Sequence, residues 1–343
     1  MPKSKYPLVT IIILNWNGKK LLKTCLSSLF KLTDYPNYKV IVVDNGSTDG
    51  SVEYVKKCFS KADVLALDKN YGYAKGNNEG IKYALKKYNP DYVLLLNNDT
   101  KIIQKNWLTE MVKVAESNEK IGIVGNVLLY DNNTVQMFGG GIDWFGLMYQ
   151  YFVGEDKEVI EKCYSKPLKV SSVMFACVLI RKELFQKNVF LDESFKFYFE
   201  DTDYCWRTYL KGYYIAVTPK SSIIHFSGVS SKKVEKKSTK RFRYHQFFDN
   251  KFKAFHKNLP FLMKIILLPI WFVVHSFMFL PHRIAGYKYA FLPLKALLDT
   301  EKLFTRNKTS LKRNAEFFSF PLYDFKYMNP LKALTKFVGL TKK

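Results

Sequence analysis

The sequence predicts an α/β protein: a mostly parallel sheet flanked by helices, with a basic, apolar helical C-terminal extension. Three observations predict it. Aliphatic, β-branched runs recur in the first half of the chain, each closing on Asn or Asp. Each is followed by a stretch with apolar residues at helical spacing. The last third then changes character, becoming strongly basic while staying apolar. With 343 residues, 48% hydrophobic and 16% aromatic, the chain can build one large domain with an appendage, or two modest ones.

Taken in order, "LVTIIIL" (8–14) is a buried strand that stops at "NWNG", and "KKLLKTCLSSLF" after it is helical. "YKVIVVD" (38–44) ends at Asp44, turns through "NGSTDG" and enters the helical "SVEYVKKCF". "DVLALD" (63–68) and "DYVLLLNND" (91–99) are two more strands, separated by "NYGYAKGNNEGIKYALKKY", a Gly- and Asn-rich loop running into a helix. Strands alternating with helices give a parallel sheet covered on both faces, and such sheets bind ligands at the carboxyl ends of their strands. Asn15, Asp44 and Asn97 to Asp99 each sit just past such an end. Singly they are ordinary turn residues, because Asn and Asp bond their own backbone. Three strand ends together point to one polar crevice.

That crevice is not a dinucleotide site of the usual kind. The turn "NWNG" lacks G-x-G-x-x-G, and no G-x-x-x-x-G-K-[ST] loop is present. A diphosphate bound here needs another source of positive charge, and a divalent cation at Asp99 supplies it. Hard cations such as Mg²⁺ use one or two carboxylates and leave their other positions to water and phosphate oxygens. A second acidic group, Glu200, Asp201 and Asp203, lies in "FKFYFEDTDYCWRTYLKGY" (195–213). These carboxylates suit a helix N-terminus, whose dipole they complement. They equally suit proton abstraction from a hydroxyl. The neighbouring Phe197, Tyr198, Phe199 and Trp206 stack on a sugar or fill the core.

The net charge of +24 is unevenly spread: residues 231–343 hold 24 Lys and Arg against 6 Asp and Glu, a net of +18. Nucleic acid explains the charge but not the aliphatic bulk, so it is not the expected partner; an anionic membrane surface explains both. "FLMKIILLPIWFVVHSFMFLP" (261–281) is interrupted by Lys264, Pro269 and His275 and is expected to lie in the interface rather than span it. A buried helix of a small C-terminal domain is the alternative. Five cysteines with no C-x-x-C pair predict reduced thiols, and the N-terminus lacks a signal-peptide cleavage pattern. The expected location is peripheral, on the cytoplasmic face of the cell membrane. The expected division is 1–230 and 231–343.

The ordered set "VTIIILNWNG…VIVVDNGSTDGS…NYGYAKGNNEG…LLLNNDT…FYFEDTDYCWR" resembles glycosyltransferase family 2 on a GT-A fold, and is most similar to its rhamnosyltransferase-like branch. The likeness covers residues 7 to about 230. It implies an inverting transfer of a sugar from a nucleotide-diphosphate donor, dTDP- or UDP-linked, to a glycan or lipid-linked acceptor in cell-surface polysaccharide synthesis. It implies donor contacts from Asn15, Asp44, Asn45, Asn70, Asn77, Asn97, Asn98 and Asp99, with Gly72 and Asn78 in the same loop motif. Of the family's D-x-D metal motif only the last carboxylate, Asp99, is kept, with Asn97 at the place of the first. The resemblance adds His225 as a second ligand of Mg²⁺ or Mn²⁺, makes Asp201 the base beside Glu200, and sets Asp203 and Trp206 on the acceptor side. One departure stands out: Phe175, Ala176 and Cys177 occupy a place where relatives usually carry Gly-Ala, so a differently shaped acceptor pocket is expected, bordered by "QMFGGGIDWFG" (136–146). A non-catalytic nucleotide-sugar-binding protein and a nucleotidyltransferase are the alternatives. The second normally carries a Gly-rich phosphate loop that "NWNGKK" does not provide.

Overall fold

A computed structural model describes residues 5–142, 148–195, 198–226 and 250–273, the last stretch without residues 268, 271 and 272. The four aliphatic runs form adjacent parallel strands: β1 (Val9–Asn15), β2 (Tyr38–Asp44), β3 (Ala62–Ala66) and β4 (Tyr92–Asn97). β1 sits between β2 and β4, with Asn15 paired to Asp44 and Leu14 to Asn97. This register brings the polar ends of three strands level with one another. α1 (Lys19–Leu32), α2 (Ser51–Cys58) and α3 (Tyr73–Lys87) are the crossovers.

Side chains of β1 alternate between faces, as strand geometry requires. Ile11 and Ile13 join Leu22, Leu26 and Leu29 of α1 and Trp107 and Met111 of α4 (Trp107–Ser117) in one core. Ile12 faces the other way, onto Ala74, Ile81 and Ala84 of α3. Gly80 lets α3 approach closely: a Cβ there would stand 2.7 Å from Val43 and 2.8 Å from Ile12.

The sheet continues past β4 in an order the sequence patterns did not indicate. Between β4 and α4 runs the short β5 (Thr100–Ile102), followed later by β6 (Ile121–Leu129), β7 (Val135–Met137), and a hairpin of β8 (Gly140–Ile142) with β9 (Met148–Gln150). After α5 (Lys157–Cys163) come β10 (Leu168–Val170), β11 (Cys177–Arg181), α6 (Lys182–Gln186), α7 (Glu200–Leu210) and β12 (Tyr214–His225). β11 inserts antiparallel between β4 and β6, while β12 runs parallel to β6. The full order is β10-β12-β6-β11-β4-β1-β2-β3. The sheet is therefore parallel at β3-β2-β1-β4 and mixed beyond.

Residues 250–258 and 261–267 are helical and, with Leu259 between them, carry Phe252, Phe255, Met263 and Leu267 into the same core as α7. Among the described residues no helix is long and apolar enough to cross a membrane. Most of the basic extension, including residues 274–281 of the apolar run, lies outside the described residues. All five cysteines are free thiols.

Candidate active site

The crevice is built where β1, β2 and β4 end. Asn15 donates from Nδ2 to Asp44 Oδ2 at 3.2 Å and accepts from Asn98 Nδ2 at 2.8 Å. Asp44 Oδ1 accepts the Ser47 backbone N–H at 2.9 Å, and Ser47 Oγ accepts the Asn17 N–H at 2.8 Å. The three side chains Asn15, Asp44 and Asn98 are buried, so their mutual bonds replace water that they have lost. Gly18 stands at the start of α1 because nothing larger fits: a Cβ there would lie 2.5 Å from both Asn15 Oδ1 and Asn98 Nδ2.

The next turn is held from the side. Asn45 donates from Nδ2 to Asn70 Oδ1 at 3.0 Å and to the Gly72 carbonyl at 3.1 Å, and its Oδ1 accepts the Tyr71 N–H at 2.9 Å. Asn45 and Asn70 thus shape the loop 70–72 beside the strand ends. Asn77 and Asn78 bond within and behind α3. Asn77 bonds the Tyr73 carbonyl of its own helix, and Asn78 ties α3 to Leu191 and Glu193. Asn97 is half-buried, with its backbone N–H on Ala176 and its carbonyl accepting from Thr100.

Asp99 and His225 meet because β5 pairs antiparallel with the end of β12, Thr100 opposite His225, and the Phe226 N–H bonds the Asp99 carbonyl at 2.9 Å. The two side chains are buried, with His225 Nε2 3.3 Å from Asp99 Oδ1. His225 Nδ1 lies 2.7 Å from Gln136 Oε1. With Nδ1–H donating to that amide oxygen, the Nε2 lone pair is left facing a carboxylate, an arrangement that a shared cation satisfies. Among the described residues no three His, Cys, Asp or Glu side chains form a metal cage. Two protein ligands nevertheless fit a Mg²⁺ or Mn²⁺ ion whose remaining positions go to phosphate oxygens and water. Gln136 opens the stretch 136–146 expected to border the acceptor pocket, but its pairing with His225, 89 residues away, leaves no local signal.

The second carboxylate group starts α7. Tyr198 and Phe199 precede it with φ of 66° and 74°, left-handed values that cost a non-glycine residue about 1–3 kcal/mol. The turn is clamped: Asn250 Nδ2 bonds the Tyr198 carbonyl at 3.0 Å, and Phe199 packs with Phe195 and Ala254. Glu200 follows, with Oε2 buried and unpartnered among the described residues. Burial, and then the charge of Asp201, push its carboxyl up to about 8. Burial also raises Asp201, opposed by the Thr202 N–H at 2.6 Å, the Thr202 hydroxyl at 3.2 Å, and the N–H of Phe175. Tyr73 lies among all of these acids: burial, then Glu200, Asp201 and Asp99, hold its hydroxyl far above its usual range.

Asp203 and Trp206 take a different direction. Asp203 is wholly buried and accepts from Arg207 Nε at 2.7 Å, Asn258 Nδ2 at 2.9 Å and Lys257 Nζ at 3.3 Å. Trp206 is equally buried, edge-on to Phe255 with ring centroids 5.4 Å apart. The resemblance set both on the acceptor side; the structure packs both against residues 250–258, Asp203 on Lys257 and Asn258 and Trp206 on Phe255. Among the described residues of this motif, Tyr198 is the exposed aromatic.

With this geometry in view, the profile described as "Glycosyl transferase family 2" matches residues 10–188, just over half of the chain. The chain belongs to glycosyltransferase family 2. It is 28% identical over 229 residues to the O-antigen biosynthesis protein RfbC of Myxococcus xanthus, covering 65% of this chain and 18% of that one. It is 25% identical over 209 residues to the dTDP-rhamnosyl transferase RfbF of Shigella flexneri, covering 61% and 67%. Of the first curated relatives that it matches, this chain spans a quarter of the length or less. The mannosyltransferase PcManGT of Pyrobaculum calidifontis, solved with GDP-Man and Mn²⁺, shares the fold at 15% identity and a TM-score of 0.56, over 98% of this chain and 85% of that one. The family 2 sheet, mixed beyond β4, accordingly has a GT-A arrangement.

Proposed function

We propose that this family 2 enzyme transfers a sugar, with inversion, from a dTDP- or UDP-linked donor to a glycan or lipid-linked acceptor in cell-surface polysaccharide synthesis, as a rhamnosyl- or other hexosyltransferase. The observation that carries the reading is the convergence of three polar strand ends with the buried Asp99–His225 pair. The nucleoside lies over Asp44 and Asn15, whose oxygens keep lone pairs free for a ribose or base. Asp99 and His225 hold Mg²⁺ or Mn²⁺, and the bound cation supplies charge neutralisation to the departing diphosphate. Asp201 takes the proton of the acceptor hydroxyl as that oxygen attacks the anomeric carbon from the face opposite the diphosphate; one displacement inverts the centre. Glu200, with its raised carboxyl, stays protonated beside Asp201 and donates a hydrogen bond to the acceptor side.

The deciding assay is nucleoside diphosphate release from a panel of UDP-, dTDP- and GDP-sugars, with Mg²⁺, Mn²⁺ or EDTA. One donor should be turned over, with activity lost in EDTA and in Asp99→Ala. Binding of that donor without turnover, unchanged by Asp201→Asn, would instead support a non-catalytic binding protein.

For location, we propose peripheral attachment to an anionic membrane surface on the cytoplasmic side, where a lipid-linked acceptor is reached. Leu262, Ile265, Ile266, Ile270 and Val273 are exposed and recur at helical spacing, while Met263 and Leu267 face the core. The net +18 of residues 231–343 is suited to anionic headgroups.

A further inference from the structure

Gln136 occupies an irregular place in the sheet. β7 runs antiparallel to β6, yet the consecutive residues Leu128 and Leu129 pair with Met137 and Val135, so Gln136 is the extra residue of a β-bulge. Bulges gather beside active sites, where they re-aim a side chain. On its other edge β6 pairs Leu129 with Ile224 of β12, one residue before His225. β6 therefore runs between the two strands, and Gln136 Oε1 still meets His225 Nδ1 at 2.7 Å. Gln136, His225 and Asp99 are all buried, so bulk water competes little for the ring proton.

A neutral imidazole carries one N–H, and two acceptors compete for it here. Gln136 Oε1 stands 2.7 Å from Nδ1, at the short end of the usual N–H···O range, whereas Asp99 Oδ1 stands 3.3 Å from Nε2, just beyond its long end. At equal distance a carboxylate is the stronger acceptor. Without the amide oxygen, Asp99 would draw the proton to Nε2, and the closed Asp99–His225 hydrogen bond would leave no lone pair for a cation. We propose that Gln136 is a positioning residue for the cation site: by accepting the Nδ1 proton it keeps the Nε2 lone pair on the Asp99 side and fixes the plane of the ring. The inference rests on the reading of Asp99 and His225 as ligands of Mg²⁺ or Mn²⁺, and it names the residue that makes the histidine a ligand. Gln136 acts only through His225, since its amide oxygen is bonded to the nitrogen that the cation does not use.

The first arm of the test uses the metal-free wild type. Imidazole nitrogen shifts, read by NMR at about pH 8, above the ordinary histidine range, should show the Nδ1–H form for His225, assigned by the signal lost in His225→Ala. An Nε2–H form overturns the inference. The second arm adds Mn²⁺ with UDP or dTDP and reads the ion by electron paramagnetic resonance. Gln136→Met keeps the length of the side chain and removes the amide oxygen. It should weaken Mn²⁺ binding by about 10- to 100-fold, the usual cost of losing the partner of a ligating histidine, and abolish the coupling to a coordinated imidazole nitrogen. Gln136→Glu, whose carboxylate accepts the same proton, should bind Mn²⁺ within about 3-fold of wild type and keep that coupling. A residue that only fills space would lower Tm in both variants and leave affinity and coupling unchanged; that result overturns the inference and leaves the cation reading standing. If the wild type shows no imidazole coupling and His225→Ala binds Mn²⁺ as well as wild type, His225 is no ligand, and the proposed cation site falls together with this inference. Because the tautomer is read on the wild type, a Gln136→Met that fails to fold does not remove the test.

Discussion

Asp201 and Glu200 form a pair of neighbouring acids whose burial resists two charges at once, so their protons leave in two steps that belong to the pair. In the proposed mechanism Asp201 must lose its proton and Glu200 keep its own, so the rate of transfer should rise with pH as Asp201 ionises and fall as Glu200, raised to about 8, ionises. Asp201→Asn should cost at least about 100-fold in kcat while leaving nucleoside diphosphate affinity, read by calorimetry, close to wild type. The same acids make a stability prediction with a definite sign. The folded protein keeps a proton on Glu200 that the unfolded chain has released, so stability is full below the ordinary carboxylate range and falls as pH rises towards 8. Glu200→Gln removes that dependence. Thermal unfolding of the two proteins from pH 5 to 8.5 should show the wild type losing Tm relative to the variant, and parallel curves would show that Glu200 does not titrate in this window.

At the scale of elements, two junctions position the site. The first is β1 with α1, where Gly18 lets the helix start against the Asn15–Asn98 amide pair. Gly18→Ala must push those amides apart. The expected cost is about 1–3 kcal/mol of overpacking strain, with a donor affinity weakened by about 10-fold, measured by denaturant unfolding and nucleotide titration. The second is α7 with residues 250–258. Asp203 gathers Arg207, Lys257 and Asn258 in a buried cluster, and Asn250 holds the strained turn that precedes Glu200. Asp203→Ala leaves two cations without their shared carboxylate and should destabilise the fold by about 3 kcal/mol. Asp203→Asn, which keeps the hydrogen-bonding shape, should cost less. Equal activity per folded molecule in both variants would confirm that Asp203 braces the catalytic helix and takes no part in transfer.

Across the whole molecule, one sheet gathers side chains from β1, β2, the turn after β4, the end of β12 and the start of α7. The first three were legible in the sequence because each strand is a local aliphatic run with its polar cap attached. The rest were not. Nothing in the sequence around residue 136 announces Gln136 as the partner of His225, and the pairing of β5 with β12 depends on a crossover of more than one hundred residues. β6, nine residues long, and β11, of five, were equally unread: both are buried almost throughout, so they carry no alternation to mark them. The exposed face of residues 262–273 makes a prediction at this scale. Replacing Leu262, Ile265, Ile266 and Ile270 together with Ser should reduce sedimentation with phosphatidylserine vesicles by at least about 10-fold, given about 1.5–3 kcal/mol for each buried aliphatic side chain. Undiminished binding would move the attachment to the basic residues alone, and no binding by the wild type would remove the membrane proposal.

What the sequence by itself determined is the α/β class, the parallel start of the sheet, the family, and the two carboxylate-bearing motifs, because hydrophobic period and strand-end chemistry are local properties. What only the tertiary structure decided is which members of those motifs share the crevice. Asp203 is tied to Arg207, Lys257 and Asn258; Asn15 and Asn98 meet, while Asn77 and Asn78 brace their helix; Tyr73, inconspicuous in the sequence, feels the charge of three acids. The reason is geometric. Neighbours in a helix point in different directions, and distant residues come together through strand register, so proximity in the fold is set by packing that no short window of sequence contains.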